Sequence, residues 1–282
     1  MYKVGINFDE ISDDLDVAIQ TMKECDVKYG ELRTVNQKNF VFWSDEEVTD
    51  FKRKVDEVDI ELIAAATPLF KWYVSPDDPD IEHDSFGFNP RLSDEEKRQI
   101  IERTFEIASD LSIPRLRIFS GLGRAENAGT VFAQDPLLAF ALELAKKYNI
   151  DLYIENEPVC RVHTKQQIIE LLANQQNSRL KLWLDIANLI ELDEEIDDVF
   201  LAGVAKRLGY VHVKDFVMED GRKIYLPTGQ GQVDYKTILA SIHQLGLSDL
   251  FFTVETHAKR DKIGASVESI KATKELVNHL NV

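Results

Sequence analysis

The chain has 282 residues, 44% of them hydrophobic, and carries a formal net charge of −17. Such a chain can bury a sizeable core without disulfide staples. Its acidity argues against nucleic acid or an anionic membrane as partner. No apolar run approaches the ~20 residues of a membrane helix. The start, MYKVGINFDE, lacks the apolar centre of a secretory signal. Cys25 and Cys160 stand far apart in sequence, so a disulfide framework is not expected. A cytoplasmic protein is the expectation.

In chain order, KVGINF reads as a first strand, and Leu15, Ile19 and Met22 give helical spacing over Asp13–Cys25. YGELRTV is the second strand, with Leu32 opposing Glu31 and Arg33. Ser44 and Glu47 form a capping box that opens a helix through Val48, Phe51 and Val55. IELIAAATPL is the third strand, ended by Pro68. A long loop, Phe70 to Arg91, follows with Pro76, Pro79, Gly87 and Pro90. Loops of that length are often lids or binding loops; Trp72 and Tyr73 within it are expected to pack rather than to stack on a ligand. Ser93 and Glu96 repeat the capping box before Ile100, Ile101, Phe105 and Ile107.

IPRLRIF is the fourth strand, with Arg117 opposing Leu116 and Ile118. GLGRAENAGT is a glycine-rich loop, and Pro136–Tyr148 is an apolar helix. IDLYIENEP is the fifth strand. Thr164 and Gln167 cap a helix carrying Ile168, Ile169, Leu171 and Leu172. LKLWLD is the sixth strand. The acidic run from Asp193 to Asp198 reads as the solvated start of a helix over Ile196–Leu208. YVHVK is the seventh strand, DFVMEDGRKIYLPTGQGQ a loop, and Val233–Leu245 a helix. FFTVETH is the eighth strand, and Ser266–Leu280 closes the chain as an amphipathic helix. Gly121-Leu-Gly123 and Gly229-Gln-Gly231 could seat a phosphate or simply turn the chain, the turn being favoured for the first. Eight strands alternating with eight helices predict an α/β protein, a (β/α)8 TIM barrel as a single domain over residues 1–282, rather than an open doubly wound sheet.

The last four strands share a design. Each sets an aliphatic pair on one face and a polar group capable of ligating a metal on the other: Glu155, Asp185, His212 and Glu255. All four fall at or near the C-terminal strand ends, where barrel active sites sit. One imidazole and three carboxylates suit one divalent metal ion, Mn2+, Mg2+, Co2+ or Zn2+. Gathered carboxylates need a cation, because their repulsion otherwise raises their pKa values. Any one of the four alone would read as an ordinary hydrogen-bonded group; four at matched positions read as a site. Among the other histidines, His83, His243 and His279 are expected to face solvent, while His163 and His257 stand close enough to strand ends to reach a mouth.

LYIENEP at 152–158, LWLDIANL at 182–189, YVHVKD at 210–215, PTGQGQVDY at 227–235 and FTVETH at 252–257 together resemble the xylose-isomerase-like TIM barrels, the sugar phosphate isomerases and epimerases. The resemblance runs over essentially the whole chain. It implies one metal held by Glu155, Asp185, His212 and Glu255, and two glutamates, Glu155 and Glu255, that move a proton on a sugar carbon through an enediolate. Return of the proton to the neighbouring carbon isomerises; return from the opposite face epimerises. The chain departs from the ketose 3-epimerase pattern at Asn188, where a histidine is usual, and at Met218, where an arginine is usual. Asn188, Lys214, His257, Arg33 and Arg117 are the expected substrate contacts, with structural ion pairs, to Glu31 or other barrel carboxylates, as the competing reading for the two arginines.

The implied substrate is a small sugar, sugar acid or sugar phosphate, and a homo-oligomer stays open. Three other functions compete with an isomerase or epimerase. A dehydratase or lyase would use the same chemistry to expel water. A non-catalytic sugar-binding barrel would keep the ligands without turnover. An abasic-site endonuclease of related fold would need more ligands, where Thr67, Ser120 and Asn188 stand, and a basic surface.

Overall fold

A computed structural model describes residues 2–83, 89–247 and 249–280. Eight parallel strands close a barrel: β1 (Lys3–Asn7), β2 (Tyr29–Leu32), β3 (Glu61–Ala65), β4 (Arg115–Ile118), β5 (Asp151–Glu155), β6 (Leu180–Asp185), β7 (Leu208–Val213) and β8 (Phe251–Val254). Each is hydrogen-bonded to its sequence neighbour, and β8 returns to β1 to complete the ring. All eight expected strands are present. Among the described residues no helix is long and apolar enough to cross a membrane.

The alternation seen in the sequence becomes two chemically different surfaces. Leu152, Ile154, Leu182, Leu184, Val211, Val213, Phe252 and Val254 are buried outward, in the layer shared with the helices. Tyr153, Trp183, Tyr210 and Phe251 turn inward with Ile63 and Ala64 and form a separate apolar cluster. The Trp183 and Tyr210 rings lie 3.7 Å apart between centroids, and Phe251 stacks on Tyr210 at 6.1 Å. This aromatic plug fills the barrel interior as large branched or flat side chains must, so the barrel is not a pore.

The three expected capping boxes are all formed, at Ser44, Ser93 and Thr164, each joining the side chain to the backbone three residues on and back. These fix where the outer helices begin, and so the path of the chain from one strand to the next. Cys25 and Cys160 are both free thiols, and burial pushes the Cys160 thiol up to about 12.

Three expectations are corrected. The stretch read as a loop after β7 contains an antiparallel hairpin, Asp215–Glu219 with Arg222–Leu226. Its turn is Asp220-Gly221, both at positive φ (49° and 72°), the geometry that suits the twist of a two-residue hairpin. The glycine-rich stretch after β4 contains a short helix, Ala128–Ala133, that packs on the helix Lys165–Asn174. Gly129 permits that contact: a Cβ there would lie 2.3 Å from the Gln167 carbonyl oxygen. The helix expected over Ile196–Leu208 is shorter, Asp198–Val204, because Asp197 caps it and β7 already begins at Leu208. Residues 84–88 of the long loop after β3, Gly87 among them, lie outside the described residues. Trp72 and Tyr73 pack as expected, Trp72 against Phe70 at 5.0 Å and Tyr73 under the Arg91 guanidinium at 4.2 Å.

Candidate active site

Strand order brings Glu155, Asp185, His212 and Glu255 to one point at the C-terminal mouth. Asp185 and His212 are direct neighbours in the β6–β7 register, and Glu255 follows the last residue of β8, its N–H held by the Val213 carbonyl at 3.0 Å. All four are at most 3% exposed, and one donor atom from each lies within 4.8 Å of the others. His212 Nδ1 is the centre: it stands 3.0 Å from Glu155 Oε1, 3.2 Å from Glu255 Oε2 and 3.9 Å from Asp185 Oδ2. The opposite ring nitrogen, Nε2, faces Glu31 at 3.1 Å. Glu31 is itself fixed by donors from Tyr210 Oη (2.8 Å) and Asn7 Nδ2 (3.1 Å).

This donor set fits a divalent cation. Ligands about 2.0–2.2 Å from one ion take mutual spacings of this size. Asp185 Oδ2 is buried and accepts no well-angled hydrogen bond, although Lys214 Nζ stands 2.8 Å away as an ion pair. Asn156 frames the same aspartate from below, donating to its carbonyl and accepting from its N–H, both at 2.8 Å. Asp185 Oδ1 in turn caps Asn188, leaving only the other oxygen for the cluster.

Neighbouring side chains balance the charges. Burial opposes ionisation of Glu155, but Arg117 and His212 outweigh it and hold its carboxyl below the usual range. Burial likewise opposes the Glu255 carboxylate, and His212, His257 and Lys214 bring it well below that range. Asp185 goes the other way: burial, with Glu155 and Glu255 beside it, raises it against the pull of Lys214. His212 is driven well above an ordinary histidine because three carboxylates overcome its desolvation.

The expected substrate contacts all line one cavity of about 260 Å³ above this cluster: Arg33, Arg117, Asn188, Lys214 and His257. Arg33 donates to Glu255 Oε1 (2.7 Å), Glu10 Oε1 (2.6 Å) and Asp9 Oδ2 (3.0 Å), not to Glu31. Arg117 Nη1 lies 3.0 Å from Glu155 Oε2. Each of the two glutamates therefore has one oxygen on an arginine and the other turned to His212. Asn188 donates to the Asn156 carbonyl at 2.9 Å. His257 sits at φ 52°, its Nε2 3.1 Å from Glu255 Oε2 and its ring stacked on Tyr225 at 4.9 Å.

Other readings are corrected or narrowed. His83, expected to face solvent, is half-buried and lines the cavity. His243 and His279 are exposed as expected. The His163 ring turns to the carbonyls of Cys160 and Arg161 and does not line the cavity. The hydroxyls of Thr67 and Ser120 are bonded to backbone, at Arg117 O (2.6 Å) and Val162 N (2.7 Å), so they add no further ligand cluster. Among the described residues the other donor triple, Glu10, Glu255 and His257, shares Glu255 and is held by Arg33. Sequence reasoning missed the parts played by Glu31 and Asn156; the sign was present in the inward phase of Glu31 on β2 and in the polar run after β5.

Residues 19–278 match the family model described as xylose isomerase-like TIM barrel. The chain belongs to that family. A search of curated proteins finds no match by sequence. Among solved structures it is similar to the IolI protein with a bound zinc atom (16% identity, TM-score 0.72, covering 99% of this chain and 97% of that one). It is also similar to the probable 3-DHS dehydratase AsbF of petrobactin synthesis from Bacillus anthracis (14%, 0.73, 96% and 98%). A third is an L-ribulose 3-epimerase (14%, 0.74, 100% and 96%).

Proposed function

We propose that this chain is a divalent-metal-dependent isomerase or epimerase of a sugar or sugar-derived substrate, with Glu155, Asp185, His212 and Glu255 as the metal ligands. The observation that carries the reading is the convergence of Glu155 and Glu255, from the ends of β5 and β8, on one imidazole nitrogen at 3.0 and 3.2 Å. Bound among these four, the ion supplies Lewis-acid chemistry toward a carbonyl and its neighbouring hydroxyl. Glu155 takes the proton from the adjacent carbon to give an enediolate. Return to the neighbouring carbon isomerises the sugar, and return by Glu255 to the opposite face epimerises it. Arg117 and Arg33 hold the outer oxygen of each glutamate, so each acts through a fixed inner oxygen. Asn188, Lys214 and His257 orient the substrate from the rim.

A dehydratase or lyase is the second reading. His257 favours it: its Nε2 stands beside Glu255 in the cavity wall, where it can hand a proton to a departing hydroxyl. The test is elemental analysis followed by incubation of the Mn2+-loaded protein with a panel of sugars in deuterated water. Deuterium at a carbon next to a carbonyl, lost in Glu255→Gln, supports isomerisation or epimerisation. Loss of water from the substrate selects the second reading, and no exchange with no product removes both.

A further inference from the structure

Resting on that reading of the site, we propose that Glu10, a buried residue behind those that line the cavity, is a positioning residue for Glu255 and holds the partner of each of that glutamate's two oxygens. The chain path puts it there. β1 ends at Asn7, and the single helical turn Phe8–Ile11 that follows directly buries Phe8, Glu10 and Ile11. Ser266, on the last helix Lys262–Leu280, donates to the Glu10 carbonyl at 3.0 Å and anchors the turn.

Both side-chain oxygens of Glu10 are taken by donors. Oε1 accepts from Arg33 Nη2 at 2.6 Å, and Oε2 accepts from the His257 N–H at 2.7 Å and the Thr256 hydroxyl at 2.9 Å. The Thr256 oxygen receives the Ala258 N–H at 3.3 Å, which leaves its own proton for Glu10. Three donors on two oxygens fit the carboxylate, which only accepts.

The first oxygen acts through Arg33. A guanidinium is a rigid planar fork, so holding two of its edges aims the third. Asp9 takes Nε at 3.0 Å and Glu10 takes Nη2, which leaves Nη1 directed at Glu255 Oε1, 2.7 Å away. The second oxygen acts through His257. That residue lies in the left-handed region at φ 52°, which is uncommon outside glycine and persists where neighbours hold it. The charged bond to its N–H is such a hold. The turn so fixed brings the ring Nε2 to 3.1 Å from Glu255 Oε2. Glu155 is held by a different device. Its arginine, Arg117, donates to the Ala66 and Thr67 carbonyls at 3.2 and 3.4 Å, so backbone helps to aim it. Disturbing Glu10 therefore loosens Glu255 and leaves Glu155 in place.

Glu10→Gln is the test, because one amide oxygen cannot serve donors on both sides. In the full chain at saturating Mn2+, kcat for deuterium exchange into the sugar panel should fall about 10- to 100-fold, the range for partners that orient a ligand, with KM changed by less than about threefold. Mn2+ content should stay at about one ion per chain, with an altered electron paramagnetic resonance spectrum because one ligand has moved. Glu10→Asp, which keeps two acceptors, should recover part of the loss, and it carries the same comparison if Glu10→Gln does not fold. A lower Tm with wild-type kcat, or with an unchanged Mn2+ spectrum, would make Glu10 a structural residue only and overturn the proposal. Loss of a second bound ion would make Glu10 a ligand and also overturn it. If the wild-type chain exchanges no sugar, the isomerase reading fails on its own and the Mn2+ spectrum decides: altered in Glu10→Gln keeps the proposal, unchanged overturns it. A chain that binds no Mn2+ overturns both.

Discussion

Glu31 and His212 meet inside the barrel, carboxylate to Nε2 at 3.1 Å, and this contact turns Nδ1 toward the other three acidic groups of the mouth. A ligating imidazole needs its far nitrogen held so that the ring orientation and tautomer are set. Thr253 donates to Tyr210 Oη at 2.6 Å and Tyr210 donates on to Glu31, so the orientation is anchored across the barrel, from β8 through β7 to β2. Glu31→Ala should weaken Mn2+ binding by about 10- to 100-fold with the four ligands intact. Competition against a fluorescent chelator measures this; an unchanged affinity would show that Glu31 has no part in setting the ring.

Asp185 offers one oxygen to the cluster, and Asn156 frames its backbone on both sides. Elemental analysis after Mn2+ loading should give about one ion per chain, and Asp185→Ala should lose it. Two or more tightly held ions would mean a different site from the one described.

Lys214 stands 2.8 Å from the same aspartate oxygen and 3.5 Å from Glu255, as a fixed cation beside the cluster. Removing it lowers the local positive potential. Lys214→Met is expected to tighten Mn2+ binding by about threefold or more, because one repulsive charge is gone. Turnover should fall in the same variant, since the cavity wall loses a cation. Isothermal titration separates the two effects, and weaker binding would show that the lysine organises the ligands instead.

The acid limb of stability has a definite sign at Glu255. Its folded pKa is held well below the ordinary value by His212, His257 and Lys214 against the effect of burial. Its stabilising effect is therefore complete above the unfolded pKa of about 4.3 and is lost as pH falls through the folded value. In chelator-treated protein Glu255→Gln should cost about 1–3 kcal/mol at pH 7, and the gap from wild type should narrow below about pH 4. Asp185, raised by burial, has the opposite sign: its contribution is present at low pH and lost as pH rises through its folded value. Urea midpoints from pH 7 down to 3 test the pair, and a pH-independent gap would contradict the assignment.

Gly231 approaches the Asp215 carboxylate so closely that a Cβ would lie 2.2 Å from Oδ1. Gly231→Ala should break the bonds that Asp215 accepts from 229, 231 and 233 and lower stability by about 1–3 kcal/mol, read as a drop in Tm. Wild-type Tm would show that the loop can move away at no cost.

The barrel was legible because each strand must serve two surfaces, and residues such as Leu152 and Ile154 against Tyr153 and Glu155 display that division at a period of two. The meeting of Glu155, Asp185, His212 and Glu255 followed from strand closure alone. Of the features that did not follow, three bear on the mouth of the barrel. The hairpin after β7 was hidden by the glycines and proline that trail it, although Asp220-Gly221 is itself a hairpin signal. The burial of His83 depends on the course of a loop with no periodicity. The part of Glu31 depends on a contact with β7 across the barrel, which one strand's pattern does not record.

Among the described residues the hairpin of residues 215–226 forms a sheet of its own two strands, and it delivers Lys223 and Tyr225 to the mouth and lays the tyrosine ring on His257. The wall it forms can be rewritten without disturbing any of the eight-strand hydrogen bonding. Its tip can lengthen, shorten or change sign while the carboxylates beneath stay in place. The fold thus separates the four-residue cluster on the barrel strands from a wall carried by one small peripheral segment.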